Sequence, residues 1–395
     1  MTYYSIFFLP RGRLLCISFL MLLAIAGMHP AFSHAADGNL PPDVQKSLNK
    51  ILPLQKSGVP DKATLHTLLD FATSPLVLRG TDDKRPFPAK YNGATGIFWR
   101  DKFTVPLKTM LQYLYDPKIP TTFVYPASIR YGKWQPGSDI LSLSSPLWVQ
   151  FGKHKESPLA LRGVELEEIT PDTFSGAYYK YTLDRLLLLT EFEGKQVLIS
   201  VAWQRGNSNV GKKAAVIGDY ENWDFVYSNA EGTLATGIGW AETYIYSSIS
   251  LAIFYEQAPG SSTTGYTMFR WMDAGWSRMN MVKAHHIESG AERSITGLKS
   301  FLDSPQRPLP EELAAYVDSL RAMDISTLQK KLEPYSAKVE AAAATTPALK
   351  TKDFQDIIKN GGYGRSMDKD ELIAALCVNY IKHKLGKPLL ADLLR

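Results

Sequence analysis

The chain has 395 residues, with 44 Lys and Arg against 39 Asp and Glu, seven His and two Cys, for a net charge of +5. A balance this close to neutral, with no basic cluster, gives nucleic-acid binding no support. Two cysteines exclude a disulfide-stapled scaffold, so stability must come from hydrophobic cores.

The N-terminus carries the most specific signal. Arg11 and Arg13 precede Leu14–Ala26, apolar but for Ser18 and the Cys16 thiol, and Gly27, Pro30, Ser33 and Ala35 follow. That pattern predicts a secretory signal peptide over 1–35, cleavage after Ala35, and a periplasmic or secreted product. The run is shorter than the ~20 residues a membrane-spanning helix needs. The next most apolar stretch, Ile245–Tyr255, is interrupted by Ser247, Ser248 and Ser250, so no stable span is expected after cleavage. Cleavage leaves 42 basic against 39 acidic groups, +3, with Cys377 the remaining thiol.

A helical N-terminal segment is expected over 36–120. Leu48, Ile51, Leu52 and Leu54 mark one helix. Pro60-Asp61 opens a second, with a stripe of Leu65, Leu68, Leu69 and Ala72, and Ser74-Pro75 ends it. Leu76–Leu78 reads as a short strand, 81–88 as a surface loop, and Phe103–Tyr115 as a helix stopped by Asp116-Pro117. Beyond Pro120 the texture is β: Thr121–Tyr125, Ile129–Trp134, Leu147–Phe151, Leu159–Ile169 and Phe174–Leu183, each bounded by Pro, Gly, Asp or Ser. Two hairpins follow. Leu186–Leu189 turns at Glu193-Gly194-Lys195 into Val197–Trp203, and Thr243–Tyr255 turns at Pro259–Ser262 into Tyr266–Trp271. Such short connections predict a mainly antiparallel sheet. Met272, Trp276, Met279, Val282 and His286 then recur at spacings of four and three, which predicts one face of a long amphipathic helix.

Pro305, Pro308 and Pro310 read as a linker into a helical C-terminal extension, 305–395. Its helices are expected over Glu311–Met323, Ser326–Ala344 (interrupted by Pro334) and Asp353–Asn360, with a joint at Thr345-Thr346-Pro347. Asp368 and Glu371 have the spacing of a capping box for the last helix, and Cys377 lies on that helix's apolar face with Ile373, Leu376 and Tyr380, as a buried structural thiol. The expected fold class is α+β: a curved, mainly antiparallel sheet packed on a long amphipathic helix over 121–304, between the two helical segments.

Several catalytic readings fail on their own chemistry. Gly206–Lys213 matches G-x-x-x-x-G-K, but Lys213 stands where a phosphate loop needs Ser or Thr, and no helix follows; it reads as a polar loop. Gly237-Ile238-Gly239 has Glu242 at the third glycine of a dinucleotide fingerprint. No G-x-S-x-G elbow exists. No cofactor or metal signature emerges. His285 and His286 are adjacent, so on a helix they point about 100° apart. His285, Glu288 and Glu292 do share a helical face, where a hydrolase would draw its acid–base or metal groups.

Hairpins followed by a long helix, over Thr121–Ser304, resemble the helix-grip arrangement of START-like lipid-binding domains. The resemblance is one of architecture. It implies a small apolar or amphipathic molecule, such as a lipid, held between sheet and helix, with Trp276, Met279, His286, Trp203 and Tyr246 as candidate contacts; which sheet face points inward stays open. The other readings are an envelope structural protein whose C-terminal helices dock a partner, and a hydrolase using His285 and Glu288.

Overall fold

The computed structural model describes residues 38–74, 86–172, 175–235, 239–359 and 362–388. The predicted signal segment and the expected strand Leu76–Leu78 lie outside them. The described chain opens with β1 (Gly38–Asn39), α1 (Pro42–Ile51), α2 (Lys62–Thr73) and β2 (Pro86–Phe87), β1 and β2 pairing in parallel. Asp61 caps α2 by accepting from the Thr64 N–H at 2.7 Å, and that bond and the Thr64 hydroxyl lower its pKa to about 2.

Next come β3 (Thr95–Phe103), α3 (Leu107–Tyr115), α4 (Thr121–Val124), β4 (Ile129–Trp134), β5 (Leu159–Ile169), β6 (Ala177–Tyr178), β7 (Lys180–Phe192) and β8 (Lys195–Gln204). They are followed by β9 (Lys212–Val216), β10 (Phe225–Glu231), β11 (Thr233–Ala235), β12 (Gly239–Ala241), β13 (Tyr244–Glu256), β14 (Thr264–Trp276) and β15 (Met279–Asn280). The C-terminal half of the helical layer is α5 (Ala284–Leu302), α6 (Pro310–Arg321), α7 (Ile325–Ala343), α8 (Lys352–Lys359) and α9 (Lys369–Lys384). The fold is thus α+β.

The main sheet is antiparallel, in the order β14-β13-β8-β7-β5-β4, and the outer edge of β14 pairs with β3 over most of its length and with β15 at its end. Both faces are buried. One carries Leu186, Leu188, Val197, Ile199, Val201, Leu251 and Trp271 against Leu48, Ile51, Leu65 and Leu68 of α1 and α2. The other carries Leu187, Leu189, Leu198, Phe254 and Met268 against α3, α4 and α5. A strand covered on both sides has no reason to alternate, which accounts for the unbroken Leu186–Leu189 run. This second core continues through Leu313, Val317, Leu332, Leu376 and Ile381, so it runs across the proline-rich connection at 305–310.

Four local expectations are corrected. Thr121–Tyr125 is a helical turn after Pro120, with the Tyr125 N–H donating to the Thr121 carbonyl at 2.9 Å. Leu147–Phe151 contains a 3-10 turn, Leu147–Val149, after Pro146. In both, a preceding proline at φ near −60° starts a helical turn that β-branched composition does not override. Thr95–Phe103 is a strand, and the helix expected from Phe103 starts at Leu107. The helix expected from Met272 starts at Ala284: Met272–Trp276 continue β14, held by pairing with β13, and a two-residue hairpin leads to β15. Ser277 and Arg278 both have positive φ, +51° and +62°, as a type I′ turn requires. The buried stripe of α5 is instead Ile287, Ala291, Ile295, Leu298 and Phe301. Gly297 permits its close approach to the 125–129 connection; a Cβ there would stand 2.8 Å from that of Ala127.

Candidate ligand site between sheet and helices

Strand register sets the floor of the site. On the face beneath α3, α4 and α5, Arg185 lies opposite Ala202, Ala202 opposite Ser250, and Ser250 opposite Arg270. The neighbouring row runs Leu187, Ser200, Ala252 and Met268. Paired residues share a face. The centre of this face is therefore four small side chains, Ser200, Ala202, Ser250 and Ala252, between two arginines whose backbones lie roughly 14 Å apart at three strand spacings. Tyr115 from the end of α3 and Tyr125 after α4 come within electrostatic range of Arg185 and Glu167. Arg185, Ser250, Ala252, Arg270, Tyr115 and Tyr125 are all half-buried, whereas Ser200, Ala202, Leu187, Met268 and Tyr266 are buried. Accessible surface at these positions, around a floor of small side chains, points to a hollow between the sheet and the helices.

The hollow is polar at one end. Arg185 donates through Nε to Glu165 Oε2 and through Nη2 to Glu167 Oε1, each at 2.7 Å. Burial opposes the Arg185 charge, but the two carboxylates outweigh it and raise its pKa. Glu167 is pushed up to about 7 by burial and by Glu165, against the pull of Arg185 and Arg270. Burial also pushes the phenols of Tyr115, Tyr125, Tyr181 and Tyr266 up, which keeps them neutral hydrogen-bonding groups near pH 7. Tyr266 donates to the thioether of Met268 at 3.1 Å.

The residues singled out from the sequence do not converge here. Trp276 and Tyr246 share an open surface groove of about 560 Å³ with Tyr244, Glu242 and Arg278. There Tyr244 and Tyr246 stack at 6.1 Å, and the Arg278 N–H donates to the Tyr246 hydroxyl at 2.9 Å. Met279 is the cross-strand partner of Trp276 and is exposed. Trp203 lies on the opposite face of the sheet, edge-on to Tyr91 at 5.5 Å. His286 lies in the first turn of α5, where its Nδ1 accepts from the Lys283 N–H at 3.3 Å; its ring is 4.1 Å from that of His285, and burial, then His285, lowers its pKa. Among the described residues no group of three or more His, Cys, Asp or Glu is placed to hold a metal ion, His285, Glu288 and Glu292 included. No described helix is long and apolar enough to cross a membrane. Gly206–Gly211 is a connection into β9.

The floor had a faint signature. Ser248-Ile249-Ser250-Leu251-Ala252-Ile253 alternates small with large, and Glu165 and Glu167 put two carboxylates on one strand face. Comparison with known proteins adds nothing to these residues: no family model matches the chain, and no curated protein matches its sequence.

Proposed function

We propose that this protein binds a small amphipathic molecule in the hollow between the sheet and its helical layer. The observation that carries this reading is the floor of Ser200, Ala202, Ser250 and Ala252 in a face otherwise made of large side chains. Leu187 and Met268 offer apolar wall, and Tyr115, Tyr125 and the Arg185–glutamate cluster offer polar contacts at one side, the mixed lining typical of small-molecule pockets. The helix-grip likeness belongs to the same reading, with α5 laid along β3 and β14 as the gripping helix. So does export, on the strength of Arg11, Arg13 and the Leu14–Ala26 run.

Native mass spectrometry of the protein recovered from its own host tests both. The expected species begins at Ala36 and carries a small molecule. An intact Met1 overturns export. The variant Ala252→Leu fills the floor. It should lose the bound molecule and change unfolding stability by less than about 1 kcal/mol, whereas overpacking a filled core costs about 1–3 kcal/mol. A loss of that size, with nothing bound to the wild type, overturns the ligand reading.

A further inference from the structure

Cations set into this fold have partners: Arg100, Arg162 and Arg293 donate to backbone carbonyls, and others are matched to carboxylates. Arg185 has Glu165 and Glu167, Arg130 has Glu168 and Glu371, and Lys382 has Asp224. Arg270 departs from the pattern. It faces the hollow from β14, opposite Ser250, yet its side chain forms no hydrogen bond or ion pair with any described residue, and its Nε is buried without a partner. A carboxylate whose pKa it lowers, Glu167, is already bound to Arg185. From the helical side, Arg293 of α5 also lies within electrostatic range. It donates through Nη1 to the Pro171 carbonyl at 2.8 Å and rests 5.0 Å from the Tyr220 ring, and its Nε is likewise unpartnered. A guanidinium stays charged and carries five donors in a planar fork suited to two anionic oxygens. A buried donor such as Nε is costly to leave unpaired, and a charge-assisted pair between this guanidinium and a ligand anion offsets that cost.

Resting on the binding function above, we propose that Arg270 receives the anionic head group, a carboxylate or a phosphate monoester, of the molecule held in the hollow. The small floor then takes the ligand's apolar body, with Met268 between Arg270 and Tyr266 on the same strand face. Binding of decanoate, decyl phosphate and decanol to the purified protein, by calorimetry, tests this. The wild type should favour at least one anion over decanol by about tenfold or more, and which anion wins identifies the head group. Arg270→Gln should bind the anions no more tightly than decanol. Arg270→Lys, which keeps the charge without the fork, should retain part of the preference. Equal binding of all three by the wild type, or a preference that survives Arg270→Gln, overturns the head-group assignment and leaves the binding function standing. A wild type that takes up none of the three overturns both.

Discussion

Glu167 has a folded pKa of about 7 against an ordinary 4.5, because burial and Glu165 both disfavour its charge. The folded state therefore holds this proton more tightly than the unfolded chain does. The resulting stability is fully present below pH 4.5 and is lost as pH rises through 7, a contribution of up to about 3 kcal/mol. Glu167→Gln keeps the shape and removes the titration. Relative to the wild type, the variant should gain about 1–3 kcal/mol of unfolding stability between pH 5 and pH 8. Denaturant melts of both proteins at the two pH values measure this. A wild-type-minus-variant difference that does not change with pH would mean the carboxyl titrates normally.

Among the elements, α9 shows how the C-terminal helices are held. Its start is fastened by the reciprocal cap between Asp368 and Glu371, at 2.8 and 2.9 Å, and Glu371 also forms an ion pair with Arg130 at 2.9 Å. Its far end carries Lys382, which donates to Asp224, just before β10, at 2.6 Å; both side chains are 1% exposed. Burial lowers the Lys382 pKa and raises that of Asp224, so each charge depends on the other. Lys382→Met should cost about 3–5 kcal/mol, because it strands a buried carboxylate. Adding Asp224→Leu should recover much of that loss. Urea unfolding of the single and double variants decides it: a single variant that loses under about 1 kcal/mol would make the pair energetically idle.

At the scale of the whole molecule, the core beneath α5 continues into α6, α7 and α9 without a break. Such continuity should make sheet and C-terminal helices unfold together. All eight tryptophans precede residue 277, so their fluorescence, apart from that of Trp223 beside Lys387, reports the part of the chain before α5, while far-UV circular dichroism reports the helices as well. The two denaturant transitions should coincide. A loss of helix at lower denaturant, before fluorescence changes, would instead make the extension after Pro305 a unit of its own.

What the sequence determined by itself is local. The capping box at Asp368, the hairpin at Glu193-Gly194, the strand Leu159–Ile169 and the burial of Cys377 follow from turn chemistry, periodicity and composition within a few residues, and all are present in the fold. The stretch from Met272 to His286 is not decided locally. Its spacing suits a helix, yet pairing with Tyr244–Ser248 holds its first half extended and a positive-φ turn ends it. The hollow is further still from local control. Arg185, Ala202, Ser250 and Arg270 come from four strands, and only the antiparallel register sets them in one row. Register depends on which strands pair across long stretches of chain, and a one-residue slip would turn every one of these side chains to the other face.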